Sequence, residues 1–288
     1  MEKGFAAARQ ELGLVVFTLL LPAGVGIVLT GALAARQPWP PLLAVAVSGA
    51  GLLASLAHLA RPLRAPRSVT NWQRSWLSRE ILAAGAFWFC TIAWTVSSVL
   101  TPALAPLAAT LSLLVGAILL FVMGRAYQLT TRPSWQGPEV FGELGAVALA
   151  VGVPAGMLAV RSDRWSGVAW LAPAAVAAAL GVDWWAVRSR RARLSSLAAD
   201  GKATATFNQM DALGSWTASA LLLTAAGVLL SLAGALGAPA QAQCLWAGTV
   251  VVTLPGQALM RAIFYATPVP QRHAVRLRPP WPSAAHGR

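Results

Sequence analysis

Charge is what this chain has least of. Only 11% of its 288 residues are Asp, Glu, Lys or Arg, where a soluble globular domain carries about 25%. Cysteine is nearly absent: there are two, Cys90 and Cys244, each inside an apolar run. That excludes a disulfide framework and any Cys-ligated zinc or iron–sulfur site within the chain. Histidine is equally scarce, and of the three, His273 and His286 lie in an Arg/Pro-rich tail. Paired axial ligands for an internal haem are therefore missing. The chain also lacks a P-loop, a G-x-G-x-x-G between strand and helix, an H-E-x-x-H and a C-x-x-C, which removes the common nucleotide, zinc-protease and dithiol chemistries.

What is present is apolar. Hydrophobic residues make up 57% and the mean hydropathy is +0.63. A membrane helix needs about 20 mostly apolar residues, and eight segments meet that rule: Leu12 to Ala35, Trp39 to Leu59, Ser78 to Leu100, Leu104 to Gln128, Val140 to Val160, Trp165 to Val187, Leu213 to Leu236 and Cys244 to Tyr265. The first is too long, and lacks an A-x-A-like cleavage site with suitable flanks, for a removed signal peptide. Pro22, Pro154 and Pro255 fall inside spans, each near a glycine, so neighbouring helices must satisfy the carbonyls they free. The expected fold is all-α and polytopic. Short and long connections alternate in both halves, which suggests two tandem four-helix bundles. These cover 1–132, with a basic loop at 60–77, and 133–267, with a basic loop at 188–212, before the basic tail 268–288.

The formal charge of +13 is explained by where the basic residues sit. With eight spans both termini share one face with the loops after spans two, four and six. That face holds 19 of the 22 basic residues, and the opposite face only Arg36, Arg161 and Arg164. Such asymmetry places both termini in the cytoplasm. It also makes membrane lipid, rather than nucleic acid, the partner implied by the charge.

Few residues remain to carry chemistry. His58 ends the second span, where a helix C-terminus favours the protonated imidazole; the plainer reading is a histidine bonding the last carbonyls. Ser78 reads as an N-cap, placing Glu80 in the first turn of the third span, where the dipole stabilises a carboxylate. The residues between His58 and Glu80 include five arginines, so both side chains belong to the same membrane face, suited to accepting or delivering protons. Arg125 and Tyr127 end the fourth span there. Arg261 and Tyr265 end the eighth and read as snorkelling anchors. Asp183, Trp184 and Trp185 close the sixth, the tryptophans as belt residues. Trp72 and Trp76 with Arg61, Arg67 and Arg74 form an aromatic and guanidinium surface suited to docking another protein. No span shows the mid-membrane acid or base expected of a proton relay or ion-coupled carrier.

At His58 the chain reads His58-Leu59-Ala60-Arg61-Pro62-Leu63-Arg64-Ala65, and it continues with Ser75-Trp76-Leu77-Ser78-Arg79-Glu80 and Arg125-x-Tyr127. In these motifs, their order and the eight spans, it resembles the membrane anchor subunits of dimethyl sulfoxide reductase-type respiratory molybdoenzymes. Ala60 departs from that pattern, which has glycine after His-Leu. The resemblance implies a subunit of the bacterial cytoplasmic (inner) membrane with no haem or iron–sulfur cluster of its own. Such a subunit binds a quinone, menaquinone or ubiquinone, and exchanges electrons with an iron–sulfur subunit that serves a molybdopterin catalytic subunit. It further implies that His58 and Glu80 handle the quinol protons, with Arg64, Arg125 and Tyr127 shaping the head-group pocket. Relatives that oxidise sulfite run the reaction in the other direction.

Two other classes compete. A secondary transporter would need interrupted helices with polar groups at mid-membrane; a purely structural tether would need neither His58 nor Glu80. The charge asymmetry yields a direct test of orientation: a reporter fused after Arg288 is expected to score as cytoplasmic, and periplasmic activity would overturn the assignment and move the proposed site with it.

Overall fold

The computed structural model describes residues 11–34, 37–58, 71–129, 131–160 and 168–267. Among these there is no β-strand, and nine helices follow one another. They are α1 (Leu12–Ala34), α2 (Trp39–His58), α3 (Trp76–Leu100), α4 (Ala105–Tyr127), α5 (Glu139–Ala159), α6 (Leu171–Ala199), α7 (Thr204–Ala212), α8 (Gly214–Leu236) and α9 (Pro239–Ala266). All except the short α7 are long rods, in line with the eight expected spans. Seven of them are apolar and long enough to cross a membrane. The eighth rod, α6, is more polar because it carries Asp183 and, beyond Val187, a run of arginines.

Two boundaries differ from expectation for readable reasons. Residues 188–212 are mostly helix rather than loop: α6 runs on to Ala199 and α7 follows. At 1.5 Å per residue, the 29 residues of α6 make a rod of roughly 43 Å, against a hydrocarbon core of about 30 Å. The helix stops where Gly201 takes φ +73°. There Gly201 N–H donates to the Ala198 carbonyl and Lys202 N–H to that of Leu197, both at 2.9 Å. This is the Schellman arrangement, which needs a residue tolerant of left-handed backbone. The last span, expected from Cys244, begins at Pro239, whose missing N–H costs nothing at the first helical position.

Sequential hairpins make the largest contacts, α1 with α2, α3 with α4 and α8 with α9, and α6 packs on both α5 and α8. The first four helices enclose a core of Phe17, Leu21, Val25, Phe87, Trp94, Leu119 and Met123. A second core joins Val153, Met157, Ala172, Ala175 and Trp246. Outward faces are apolar as well. On α4 the exposed large hydrophobic residues are Leu107, Leu111, Leu114, Ile118 and Phe121, spaced by fours and threes along one side, as a lipid-facing stripe should be.

The two sets of helices meet through α1 and α5, the most enclosed of the seven candidate spans. Gly26 and Gly152 lie face to face at this crossing. A Cβ on Gly152 would stand 2.7 Å from the Cα of Gly26, and one on Gly26 would run into the Ala148 carbonyl. Small residues that let backbones touch are the usual means of packing helices in lipid, where apolar burial supplies no drive. At the crossing α5 widens into a π turn, Ala148–Gly152, just before Pro154. Proline cannot donate to the carbonyl of Ala150, four residues earlier. Thr253 of α9 donates to it instead, at 2.8 Å, and the Thr30 hydroxyl of α1 lies 3.2 Å from the Val153 carbonyl. The helices around Pro154 thus do satisfy what it frees. Gly152→Leu is expected to lower stability by about 3 kcal/mol or more through overpacking, and Thr253→Val by about 1 kcal/mol through one lost interhelical bond. Thermal unfolding of the solubilised protein measures both, and an unchanged Gly152→Leu midpoint would contradict the crossing.

Candidate functional site

Polar side chains collect at one end of the molecule, where α1, α3, α5 and α8 begin and α2, α4, α6 and α9 end. Glu80 marks the first part. The N-cap of α3 is Ser75, not Ser78: its backbone is extended and its hydroxyl accepts from Ser78 N–H at 3.3 Å. Glu80 therefore sits in the second turn, past the capping positions, and turns inward. It is 4% exposed, and its Oε1 has no hydrogen-bond partner. Capping is thus not its role. A buried acid left partly unsatisfied is costly and asks for a functional explanation.

Beside it stands an aromatic group. Tyr127 at the end of α4 and Tyr265 near the end of α9 share a hydrogen bond between their hydroxyls, 2.9 Å, and both lie within Coulombic reach of Glu80. Trp135, in the short 3-10 turn Pro133–Trp135, stacks on Phe264 at 4.8 Å and donates through Nε1 to the Phe264 carbonyl at 2.9 Å. Tyr127 meets Trp135, Phe264 and Tyr265 edge-on. These rings make a stiff wall with two hydroxyls in it.

A buried ion cluster forms the third part. Glu143 of α5, 1% exposed, receives Arg190 Nη1 at 2.7 Å on one oxygen and Arg261 Nη2 at 2.9 Å on the other. Arg190 also donates through Nε to the Ser134 carbonyl at 3.1 Å, and Arg193 binds the Pro133 carbonyl and, at 3.2 Å, Glu139. The long end of α6 is thereby tied to the turn between α4 and α5. Asp183, about two turns before Arg190 on α6, is fully buried and accepts from Gln257 of α9 at 2.6 Å. Trp184 and Trp185 beside it are exposed.

Several expectations change here. Arg261 and Tyr265 do not snorkel: they are 1% and 3% exposed and point into the bundle. The spans do hold buried ionisable groups: Glu143, paired with Arg190 and Arg261 near the end where α5 begins, and Asp183, which lies deeper, bonded to Gln257 at the level of Thr224 in the middle of α8. Sequence reasoning passed over Glu143, Arg190 and Gln257. The signal was available, because Gln257, Arg261 and Tyr265 recur every fourth residue, which puts them on one helix face.

The other expected residues are placed as follows. His58 is the last residue of α2; its side chain, and all of Arg61, Arg64 and Arg67, lie outside the described residues. Arg125 is exposed, bonds Gln128 at 2.7 Å and lies over the Trp76 ring at 5.0 Å. Arg79 covers the same ring at 4.3 Å while donating to the carbonyls of Trp72 and Gln73. Trp76 is thus half-buried on the bundle, whereas Trp72 and Arg74 are exposed. Among the described residues no group of His, Cys, Asp and Glu is arranged to hold a metal, and both cysteines are free thiols.

The cluster predicts a graded response. Glu143→Ala strands two guanidiniums in the interior and is expected to cost about 3–5 kcal/mol. Arg193→Ala, at the cluster's partly exposed edge, should cost about 1 kcal/mol. Unfolding midpoints in detergent check this; equal effects would mean that Glu143 is not the centre.

The model of the DMSO reductase anchor subunit (DmsC) family matches residues 5–267. The C subunit of the anaerobic dimethyl sulfoxide reductase of Haemophilus influenzae is 31% identical over 140 residues, 43% of this chain and 50% of that protein. The YnfH subunit of an Escherichia coli anaerobic dimethyl sulfoxide reductase is 37% identical over 91 residues, and the E. coli C subunit 36% over 92, each covering 30% of this chain and 32% of the relative. The matched stretches thus span half or less of these curated relatives. No solved structure matches. Family match, helix count and the motifs around Glu80 agree over nearly the whole length, and the chain belongs to the DMSO reductase anchor subunit family.

Proposed function

We propose that this chain is the quinone-reactive anchor of a bacterial respiratory molybdoenzyme. In this reading it lies in the inner membrane with its polar end at the cytoplasmic face. There it binds quinol and passes electrons to an iron–sulfur subunit, which serves a molybdopterin catalytic subunit. The observation that carries the reading is Glu80: a buried carboxyl with an unpartnered oxygen, at the polar end of an otherwise apolar bundle, beside the Tyr127–Tyr265 hydroxyl pair.

A quinone head group fits this donor set, since it asks for a hydrogen-bonding group at its oxygen and apolar or aromatic walls around its ring. When bound, it supplies the two-electron, two-proton redox chemistry. Glu80 accepts a proton from a quinol hydroxyl, or returns one when the reaction runs toward quinol. His58, the last residue of α2, is the second proton-exchanging group in this reading. The aromatic group excludes water from the rings' side, which strengthens every polar contact made inside. Arg64 and Arg125 help to shape the rim, and exposed Trp72 and Arg74 with Trp76, Arg61 and Arg67 offer the docking surface for the iron–sulfur partner. Sulfoxide reduction is the terminal reaction suggested by the relatives' names, with quinone reduction for a sulfite-oxidising partner as the reverse case.

A transporter would also hold buried charges. Here Glu80 and the Glu143 cluster with its two arginines lie toward one end, and the deeper Asp183 is bonded to an amide of α9, rather than a set of charges arranged around a mid-membrane cavity. In the complex purified with its partner subunits, His58→Ala is expected to abolish quinol-linked turnover while dye-linked activity of the catalytic subunit persists. Glu80→Gln should slow quinol turnover by roughly 100-fold with assembly retained. Unchanged quinol kinetics in both variants would remove the site from this chain.

A further inference from the structure

One buried acid has no task in that reading. Asp183 is 0% exposed; Gln257 Nε2 donates to its Oδ2 at 2.6 Å, and its Oδ1 has no hydrogen-bond partner. Gln257 Nε2 also lies 3.4 Å from the Thr224 hydroxyl of α8. The charges facing Asp183 are Glu143 from α5, Arg261 from α9 and Arg190 from its own helix. Both arginines direct their ion pairs at Glu143. A carboxylate kept only to balance charge would be expected to join them, as Glu143 does. Asp183 instead takes its direct bond from a neutral amide.

The balance of charge around it is open to either state. Two guanidiniums against Glu143 alone leave one positive charge over. Ionised Asp183 cancels that excess, whereas the protonated form avoids burying another charge. The cluster therefore tolerates both, which is what a group that exchanges a proton requires.

Helix α9 joins this acid to Glu80. Gln257, Arg261 and Tyr265 lie on one face, each 3% exposed or less, and cover about 12 Å along the axis. Gln257 touches Asp183, Arg261 binds Glu143, and Tyr265 bonds Tyr127 within Coulombic reach of Glu80. We propose that Asp183 is a second proton-holding group of the site at Glu80, filled as quinol is oxidised there and emptied in the reverse reaction. The proposal rests on the quinol reading. Per quinol, both O–H bonds break and the electron pair leaves to the partner's iron–sulfur cluster: His58 and Glu80 take one proton each at the head group, and Asp183 then takes the Glu80 proton along the α9 face, which returns Glu80 to its carboxylate form.

The test compares Asp183→Asn and Asp183→Glu in the assembled complex. Asparagine keeps the shape and the Gln257 contact but cannot exchange a proton. Asp183→Asn is expected to lower quinol-linked turnover at least 10-fold, in line with the loss of a proton-transfer group, and to flatten its pH profile. Asp183→Glu should restore both in part, with dye-linked activity unchanged throughout. A wild-type rate and pH profile in Asp183→Asn would overturn the proposal. If His58→Ala and Glu80→Gln are impaired in that case, only the role of Asp183 falls; if they too are normal, the quinol reading falls with it. Should Asp183→Asn fail to assemble, a second measurement decides. The full wild-type chain, labelled with carboxyl-¹³C aspartate and loaded with a quinone analogue in nanodiscs, should show a label-shifted protonated-carboxyl band in its redox-induced infrared difference spectrum. Absence of that band would equally overturn the proposal.

Discussion

The structure depends on one carboxylate. Glu143 is buried among helices that elsewhere present mostly methyl groups, aromatic rings and an occasional hydroxyl, and charge in such surroundings is tolerated only when paired and fully hydrogen-bonded. Its two oxygens take Arg190 and Arg261, so α5, α6 and α9 are held in one register at one end. The consequences reach further than the pair. Arg190 comes from beyond the apolar stretch, so α6 has to continue past Val187 to supply it. The same extension carries Arg193 to the turn at Pro133 and so fixes Trp135 against Phe264. The aromatic wall beside Glu80 is therefore positioned, through α6 and α9, by a carboxylate at a distance from it.

The opposite kind of constraint holds the two sets of helices together. Between α1 and α5 there is no charge at the crossing, only the contact of Gly26 with Gly152, and it is close because neither has a side chain. Such an approach crowds the backbone of α5, and the π turn at Ala148–Gly152 is where the helix makes room. Pro154 follows at once, and the two hydroxyls from α1 and α9 that serve this stretch come from the helices packed on either side. The interruption is thus satisfied by protein on all sides, the condition under which irregular backbone is tolerated at membrane depth.

Much of the architecture can be read from the chain, because lipid imposes a length and a composition on every span. The rods at Leu12, Trp39, Trp76 and Ala105 start within a few residues of where hydropathy places them. The departures come where polar residues belong to helices. Arg188 to Ala199 looks like a loop by charge, yet Asp200-Gly201 is a recognisable helix stop. Ser78 looks like a cap because it precedes Glu80, while Ser75 is the residue whose backbone is extended. At the site, Glu80, Tyr127 and the shared end of the molecule are legible. Glu143 with its arginines is not, because a single acid in a hydrophobic run gives no hint of its partners. Arg190 and Arg261 lie 47 and 118 residues away, and only the packing of three helices reveals the triad.

This division of labour bears on the quinol chemistry proposed for the site. In the proposed reading electrons need only proximity to a neighbouring cluster, but protons need groups to hold them, and the body of the bundle is mostly apolar. Among the described residues, the buried acids Glu80, Glu139 and Glu143 lie toward the end where the helices α3 and α5 begin, and Asp183 lies further in beside Gln257. A site at Glu80 would thus have its proton-holding groups, its aromatic wall and its partner-facing surface within a few turns of one another. Of the far-end connections, those described at 101–104 and 237–238 are short and carry no charge. A path for protons through the membrane would require ionisable groups spaced across it. Beyond Asp183 and Gln257, the α9 face that carries the polar ladder continues only as Thr253 and Thr249, whose hydroxyls donate to backbone carbonyls. The ladder ends in groups already committed to holding helices together, so the arrangement favours proton exchange with one face alone.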